Sequence, residues 1–275
     1  MKRFPLILIA SSAVALSGCG GGGGGGSTAT QQSAAGVWQA STTVASGANA
    51  GDTIQSMVLV APNGQYYTAA KNQTNGCASV GFGQANVNGS AISGSGIGAV
   101  VTYTNIPGVS VNCSFPDGST SGTVNFTGTV STGQSLTITS TGVTSAGTTI
   151  PASTDTSQWS SLNAISPSIS ELAGNYQTST GSVISISQTG AVSGTDSTTG
   201  CSLNGMISAS DATHNIYYFS AQNSGCSSTY SSMNGATWNG LASFNSSTNP
   251  NLLYLGASAK VSNVSLVIAQ SLVKQ

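Results

Sequence analysis

The chain has 275 residues, of which only 4 % are charged, against roughly 25 % in ordinary soluble proteins. With five Lys and Arg it cannot release many counterions from phosphates, which excludes nucleic-acid binding, and it has no basic stripe for an anionic lipid surface. Val, Ile, Thr and Tyr are plentiful and stand among 36 glycines, a composition of short strands and tight turns rather than of disorder.

At the amino terminus, Lys2 and Arg3 precede an apolar run, Phe4-Pro5-Leu6-Ile7-Leu8-Ile9-Ala10, that continues through Ala13-Val14-Ala15-Leu16. This core is shorter than the roughly 20 residues of a spanning helix. A positive head, a short apolar body and small residues at the end describe a secretory signal peptide over 1–18. The stretch Leu16-Ser17-Gly18-Cys19 resembles the lipobox of bacterial lipoproteins at every position. The resemblance implies that the Cys19 thiol is acylated, by palmitate or a similar chain, and that cleavage makes Cys19 the first residue of the mature chain. It also implies that Gly20, in place of Asp, directs the protein to the outer membrane of a Gram-negative bacterium. Two or three acyl chains, at about 0.8 kcal/mol per buried methylene, hold a protein on a bilayer almost permanently. The mature chain then has three lysines against six carboxylates, a net charge of −3.

Residues 19–35 read as a tether. Gly20 to Gly26 stay flexible because glycine loses the most backbone entropy on ordering, and about sixteen such residues reach about 20–24 Å.

Two stretches beyond it open alike, Ala35-Gly36-Val37-Trp38-Gln39 and Ala173-Gly174-Asn175-Tyr176-Gln177. Each is followed by a hairpin: Met57–Ala61 and Gln65–Thr68 around Asn63-Gly64, then Val183–Ser187 and Ala191–Ser193 around Thr189-Gly190. A Gly-Cys pair comes next in each (Gly76-Cys77, Gly200-Cys201), then a second hairpin, a second cysteine (Cys113, Cys226) and closing strands. The pattern reads as an internal duplication. It predicts an all-β chain of two tandem antiparallel meander domains, each a small barrel or sandwich, loosely similar in order to lipocalin-like barrels. The expected domains are 36–144 and 173–275, with an extra loop around Ser46 to Thr53 in the first. A linker is expected over 145–172, with a short helix at Thr156 to Ile165 carrying Trp159 and Leu162 on one side. Trp38 and Tyr176, at matching starts, are expected to plug the two cores.

With Cys19 lipidated, four cysteines remain for an oxidising compartment. The duplication selects one bridge per copy, Cys77–Cys113 and Cys201–Cys226. No Cys-x-x-Cys spacing occurs and His214 is the only histidine, so no metal or other cofactor is expected.

Little in the chain points to a reaction. His214 lies in a polar turn three residues after Asp211, and no Gly-x-Ser-x-Gly elbow accompanies it. The acids stand singly beside Gly, Ser or Thr, as in turns. Gly94-Ser95-Gly96-Ile97-Gly98 lacks the spacing of a phosphate loop. The positive hint is aromatic. Tyr66-Tyr67 and Tyr217-Tyr218 are strand neighbours, so in each pair one ring is expected to be buried and one exposed for a protein or glycan partner. The leading expectation is a non-enzymatic outer-membrane lipoprotein, held to the membrane by its lipid and acting through surface contacts or a structural role. The alternative is a carrier of a small apolar ligand inside a barrel. A hydrolase comes third, and requires His214 or two acids to converge.

Overall fold

A computed structural model describes residues 31–43, 50–102, 113–261 and 264–275. Cys19, the lipobox and the glycine run lie outside these residues, as does the first half of the loop expected around Ser46 to Thr53.

The chain folds into two closed antiparallel barrels of eight strands each. The first comprises β1 (Gly36–Thr43), β2 (Thr53–Val60), β3 (Gln65–Asn72), β4 (Cys77–Asn88), β5 (Ala91–Thr102), β6 (Ser121–Ser131), β7 (Ser135–Thr144) and β8 (Thr149–Trp159). The second comprises β9 (Gly174–Gln177), β10 (Val183–Ile186), β11 (Ala191–Thr195), β12 (Ser202–Ala209), β13 (Tyr217–Ser224), β14 (Thr237–Asn245), β15 (Leu252–Val261) and β16 (Val264–Lys274). Each is a meander in chain order, closed by two residue pairs: Trp38–Trp159 and Gln39–Gln158 in the first, Tyr176–Lys274 and Gln177–Val273 in the second.

The two halves repeat one design. The turns at Gly64 and Gly190 both have φ +83°, and a Cβ at either would lie 2.2 Å from a carbonyl of the strand beyond, so both need glycine. Trp38 and Tyr176 are fully buried, and each bonds the carbonyl four residues earlier: Trp38 Nε1 to Ala34 at 2.8 Å, Tyr176 Oη to Leu172 at 2.5 Å. In both barrels the segment before the first strand is thereby folded across one end. The disulfides Cys77–Cys113 and Cys201–Cys226 are both present, with Cα separations of 5.7 and 3.8 Å. Each ties the start of the fourth strand to the connection between the fifth and sixth.

The stretch expected as linker contains β8, so the first barrel runs to Trp159 rather than ending near 144. The helix expected over Thr156 to Ile165 is absent too. The strand continues to Trp159, and a single 3-10 turn, Ser161–Ala164, follows with Ser160 as its cap. Pro151 hid the strand from a pattern search. It sits beside a register shift opposite Ser140 and Gly142, the kind of position where a strand tolerates proline.

The barrels pack side by side. Val37, Leu59, Ala61 and Tyr67 of the first join Ile216 and Leu241 of the second around Leu162 of the connection. The Tyr67 ring lies against Gly256, where a Cβ would come within 2.9 Å of it, and its hydroxyl bonds Asn239 O at 2.5 Å and Ser258 Oγ at 2.8 Å. The buried Asn215 amide donates to Leu162 O at 3.0 Å and to Phe244 O at 2.7 Å, pinning the connection to the second barrel.

Candidate functional site

The tyrosine pairs alternate across their strands as expected, but the outward rings do not reach solvent. Tyr66 points into the first barrel, edge-to-face on Phe126 at 5.3 Å, and burial pushes its hydroxyl up to about 12. Tyr217 points into the second barrel and accepts a hydrogen bond from the Ser168 amide at 2.8 Å. Tyr67 and Tyr218 face outward, where the neighbouring barrel covers them. Tyr67 is 4 % exposed, and Tyr218 is half-buried against the Asn63 backbone. The expected exposed recognition aromatics are therefore core and inter-barrel contacts. A sequence pattern reports which face a ring takes, not what lies against that face.

His214 and Asp211 do meet, with Nδ1 2.6 Å from Oδ2. They do so as a turn: Asp211 Oδ1 also accepts the backbone N–H groups of Thr213 and His214, both at 2.8 Å. Burial works against ionisation of Asp211, and these hydrogen bonds outweigh it and hold the carboxyl at about 2.

The interiors of the barrels differ. The second is filled by large side chains, with Ile207, Tyr217, Phe244, Leu253 and Leu272 each at most 1 % exposed. The first holds an apolar cluster at one end, Trp38, Val60, Tyr66, Ile92, Val130 and Leu136 beneath the chain at Ala34, and at its other end Cys77, Cys113, Thr144 and Ile150 are buried. Between them its wall turns small and polar. The register places Ser56, Thr68, Ala70, Gly81, Gly98, Val124, Ser140 and Ser153 on the inward face, all half-buried. Ser79 and Asp155 share that face and are exposed. The glycines of Gly94-Ser95-Gly96-Ile97-Gly98 turn inward at alternate positions. A Cβ at Gly94 would strike Phe126 at 2.4 Å and one at Gly96 the Tyr66 hydroxyl at 2.3 Å, so this motif makes room for two rings. At Gly98 such a Cβ would meet Val124 Cγ2 at 3.4 Å and Val80 O at 3.8 Å, ordinary contacts.

Asp155 stands directly opposite Ile138, whose side chain packs on the interior cluster. Residues facing each other across a ladder share a face, so the carboxylate points inward. The side chain keeps contact with solvent, and partial desolvation by the surrounding wall raises its pKa from the ordinary value. Its carboxylate makes no hydrogen bond or ion pair among the described residues, whereas Asp52, Asp117, Asp196 and Asp211 are all bonded by side chains. The wall also opens beside it. β1 and β8 pair only as far as Gln39 and Gln158, and Ala40–Thr43 then run on without a partner across the seam. Asp155 was not singled out from sequence, where it reads as one more acid between threonines. Its alternation with Ser153, Ser157 and Trp159 was the available signal, once β8 is recognised as a strand.

The outer face of β6, β7 and β8 is polar. Thr137 pairs with Thr156 at 3.0 Å and Thr139 with Thr154 at 2.8 Å, and Thr123, Asn125, Thr127 and Thr129 continue the surface. A shallow depression of about 590 Å³ lies on the outer face of the second barrel, lined by Ser185, Ser193, Thr195 and Asn204.

No protein-family profile matches the chain, and no curated protein or solved structure does.

Proposed function

We propose that the protein is a lipid-anchored, non-enzymatic binding protein of the bacterial outer membrane, and that it takes a small ligand into the open half of its first barrel. The observation that carries this reading is the accessible inward face around Ser56, Thr68, Ser79, Gly98 and Asp155, in a barrel whose twin is filled. An eight-stranded barrel is just wide enough for its own side chains or for one small ligand. Here the two barrels of one chain take the two alternatives. Surface capture of a partner loses its support with Tyr67 and Tyr218 packed between the barrels.

Attachment through Cys19 agrees with the polarity of the barrel walls. A membrane barrel presents an apolar band to lipid, whereas threonine and asparagine line the outside of β6 to β8.

Binding is tested with the lipid-free chain from Ser27 onward and N-phenyl-1-naphthylamine, a neutral fluorescent probe. The wild type is expected to enhance its fluorescence saturably and Gly98→Phe, which fills the lumen, to lose that response. Equal response from both chains would contradict the reading. Anchoring is tested by washing membranes in high salt. Wild-type protein is expected to remain bound and Cys19→Ala to wash off, and retention of the variant would contradict the lipid anchor. Protease added to intact cells then separates surface display from a periplasmic position.

A further inference from the structure

We propose that the chain associates head to tail with further copies of itself, the outer face of β6–β8 of one copy seating on the outer face of β10–β12 of the next. The contact uses outer faces and is independent of whether the first barrel takes a ligand.

Within one chain the two barrels already meet through unlike faces. β2, β3 and β4 of the first barrel lie on β14, β15 and β16 of the second. Counted within each barrel, strands two to four meet strands six to eight. Because the barrels repeat one design, each carries both kinds of face, and the intrachain contact uses one of each. Strands six to eight of the first barrel (β6–β8) and strands two to four of the second (β10–β12) are left over. Their outward residues are exposed: Asn125, Thr127 and Thr141 on the one, Ser193, Thr195 and Asn204 on the other. An interface that joins unlike faces continues from copy to copy unless its rotation closes a ring.

The left-over faces keep the rungs of the used ones. In the intrachain contact the rung Leu59–Tyr67–Phe82 is set against the rungs Leu241–Gly256 and Asn239–Ser258. The matching rungs are Ser185–Ser193–Asn204 on one free face, and Thr127–Thr139 and Asn125–Thr141 on the other. The sizes are exchanged between them. Tyr67 is a knob over the bare Cα of Gly256, whereas Ser193 stands where that knob would be and Thr139 where the hole would be. The depression of about 590 Å³ on the second barrel marks the missing knob, since Ser185, Ser193 and Asn204 line it. A second copy's β6–β8, with threonine in place of glycine, presents the volume that this hollow lacks.

Charge does not oppose the contact. β10–β12 contain no charged residue, and the one in β6–β8, Asp155, is on the inward side. Like charges brought together are a usual means of excluding a wrong partner, and these two faces have none. They offer hydroxyl and amide groups instead, the surface of a reversible contact rather than a permanent one.

The test uses the lipid-free chain from Ser27 onward with both native disulfides intact. A Cβ at Gly256 would lie 3.0 Å from the Tyr67 Cβ. Cysteines at the equivalent positions of two copies therefore come within reach of a bridge, whose Cβ atoms are about 3.8 Å apart. Thr139→Cys and Ser193→Cys are made singly, one of them with a tag that changes its size, and oxidised with copper phenanthroline. Their mixture is expected to give a linked heterodimer in at least about tenfold excess over the homodimers formed by either alone, and the double variant a ladder of longer oligomers. In sedimentation velocity the wild type is expected to show an average mass that rises with concentration, and Ser193→Lys, which puts a charge on one face, to remove the rise. Absence of the heterodimer, homodimers in equal yield, a mass of one chain at every concentration, or a rise that Ser193→Lys leaves unchanged would each overturn the proposal.

Discussion

The two barrels share strand number, strand order, disulfide placement and the aromatic that bonds back four residues, yet the second carries larger inward side chains and the first has a mid-wall of small and polar residues that are half-buried or exposed. The wall design is thus separable from the lumen design. In the second barrel, inward positions carry Phe219, Phe244, Leu253 and Leu255, and the interior closes on itself. In the first, Phe244, Leu253 and Leu255 are matched by Val130, Leu136 and Ile138, whereas Ser56, Gly81, Gly98 and Val124 match Ser182, Leu203, Asn223 and Trp238 of the second. The hairpin turns and bridges hold the wall in both, so the first barrel does not need a full core to keep its shape.

Core truncation should separate the barrels most sharply. Phe244→Ala, in the filled interior, is expected to cost about 3–5 kcal/mol. Val124→Ala, on the open wall, is expected to cost about 1 kcal/mol or less, since its methyl groups already meet solvent on one side. Urea unfolding of both variants checks this, and equal losses would break the comparison.

The bridges should reveal no difference. Loops of 36 and 25 residues give chain-entropy stabilisations of about 3.8 and 3.5 kcal/mol. Replacing either cysteine pair by serine should therefore lower stability by nearly the same amount in urea.

The contact between the barrels is next in size. Tyr67→Phe removes the hydroxyl that reaches Asn239 O and Ser258 Oγ, and should cost about 1–2 kcal/mol. If the barrels unfold as a unit, fluorescence and far-UV dichroism will still show one coincident transition. Tyr67→Ala, which also empties the space over Gly256, should split that transition in two.

The smallest effects are those of pH, and they have opposite signs in the two barrels. The carboxyl of Asp155 is raised in the folded state, so its contribution is fully present below the unfolded value of 3.8 and is lost as pH rises through the folded value. Asp155→Asn should therefore be more stable than wild type at pH 7 and equal to it near pH 3. Asp211 is lowered to about 2, so its contribution is present above 3.8 and is lost as pH falls toward 2. Asp211→Asn should be less stable at pH 7, with the difference closing as the pH is lowered to 2. Urea midpoints across this range decide both.

Much of the wall was legible in the chain. Asn63-Gly64 and Thr189-Gly190 marked real hairpins, the duplication paired the four cysteines as the structure pairs them, and Trp38 and Tyr176 are the plugs their matching positions implied. What escaped depended on distant parts of the chain. β8 carries Ser, Thr, Asp and Pro151 with little apolar alternation, and only Ile150 and Trp159 near its two ends bring large apolar side chains to the interior. Tyr67 and Tyr218 looked available to a partner because the partner is the other half of the same chain. Asp155 acquires its character from closure of the barrel, which places Ile138 opposite it and no cation nearby.

The central proposal is that the middle of the first barrel admits solvent and the interior of the second does not. It is tested most directly by reacting single thiols with a cationic methanethiosulfonate in the chain with both disulfides intact. Ser56→Cys is expected to be modified within about tenfold of the rate of an unfolded control, and Ala242→Cys, inward in the second barrel and fully buried, to stay unmodified until denaturant is added. Equal protection of both thiols would contradict the account, since the first barrel would then be as filled as the second.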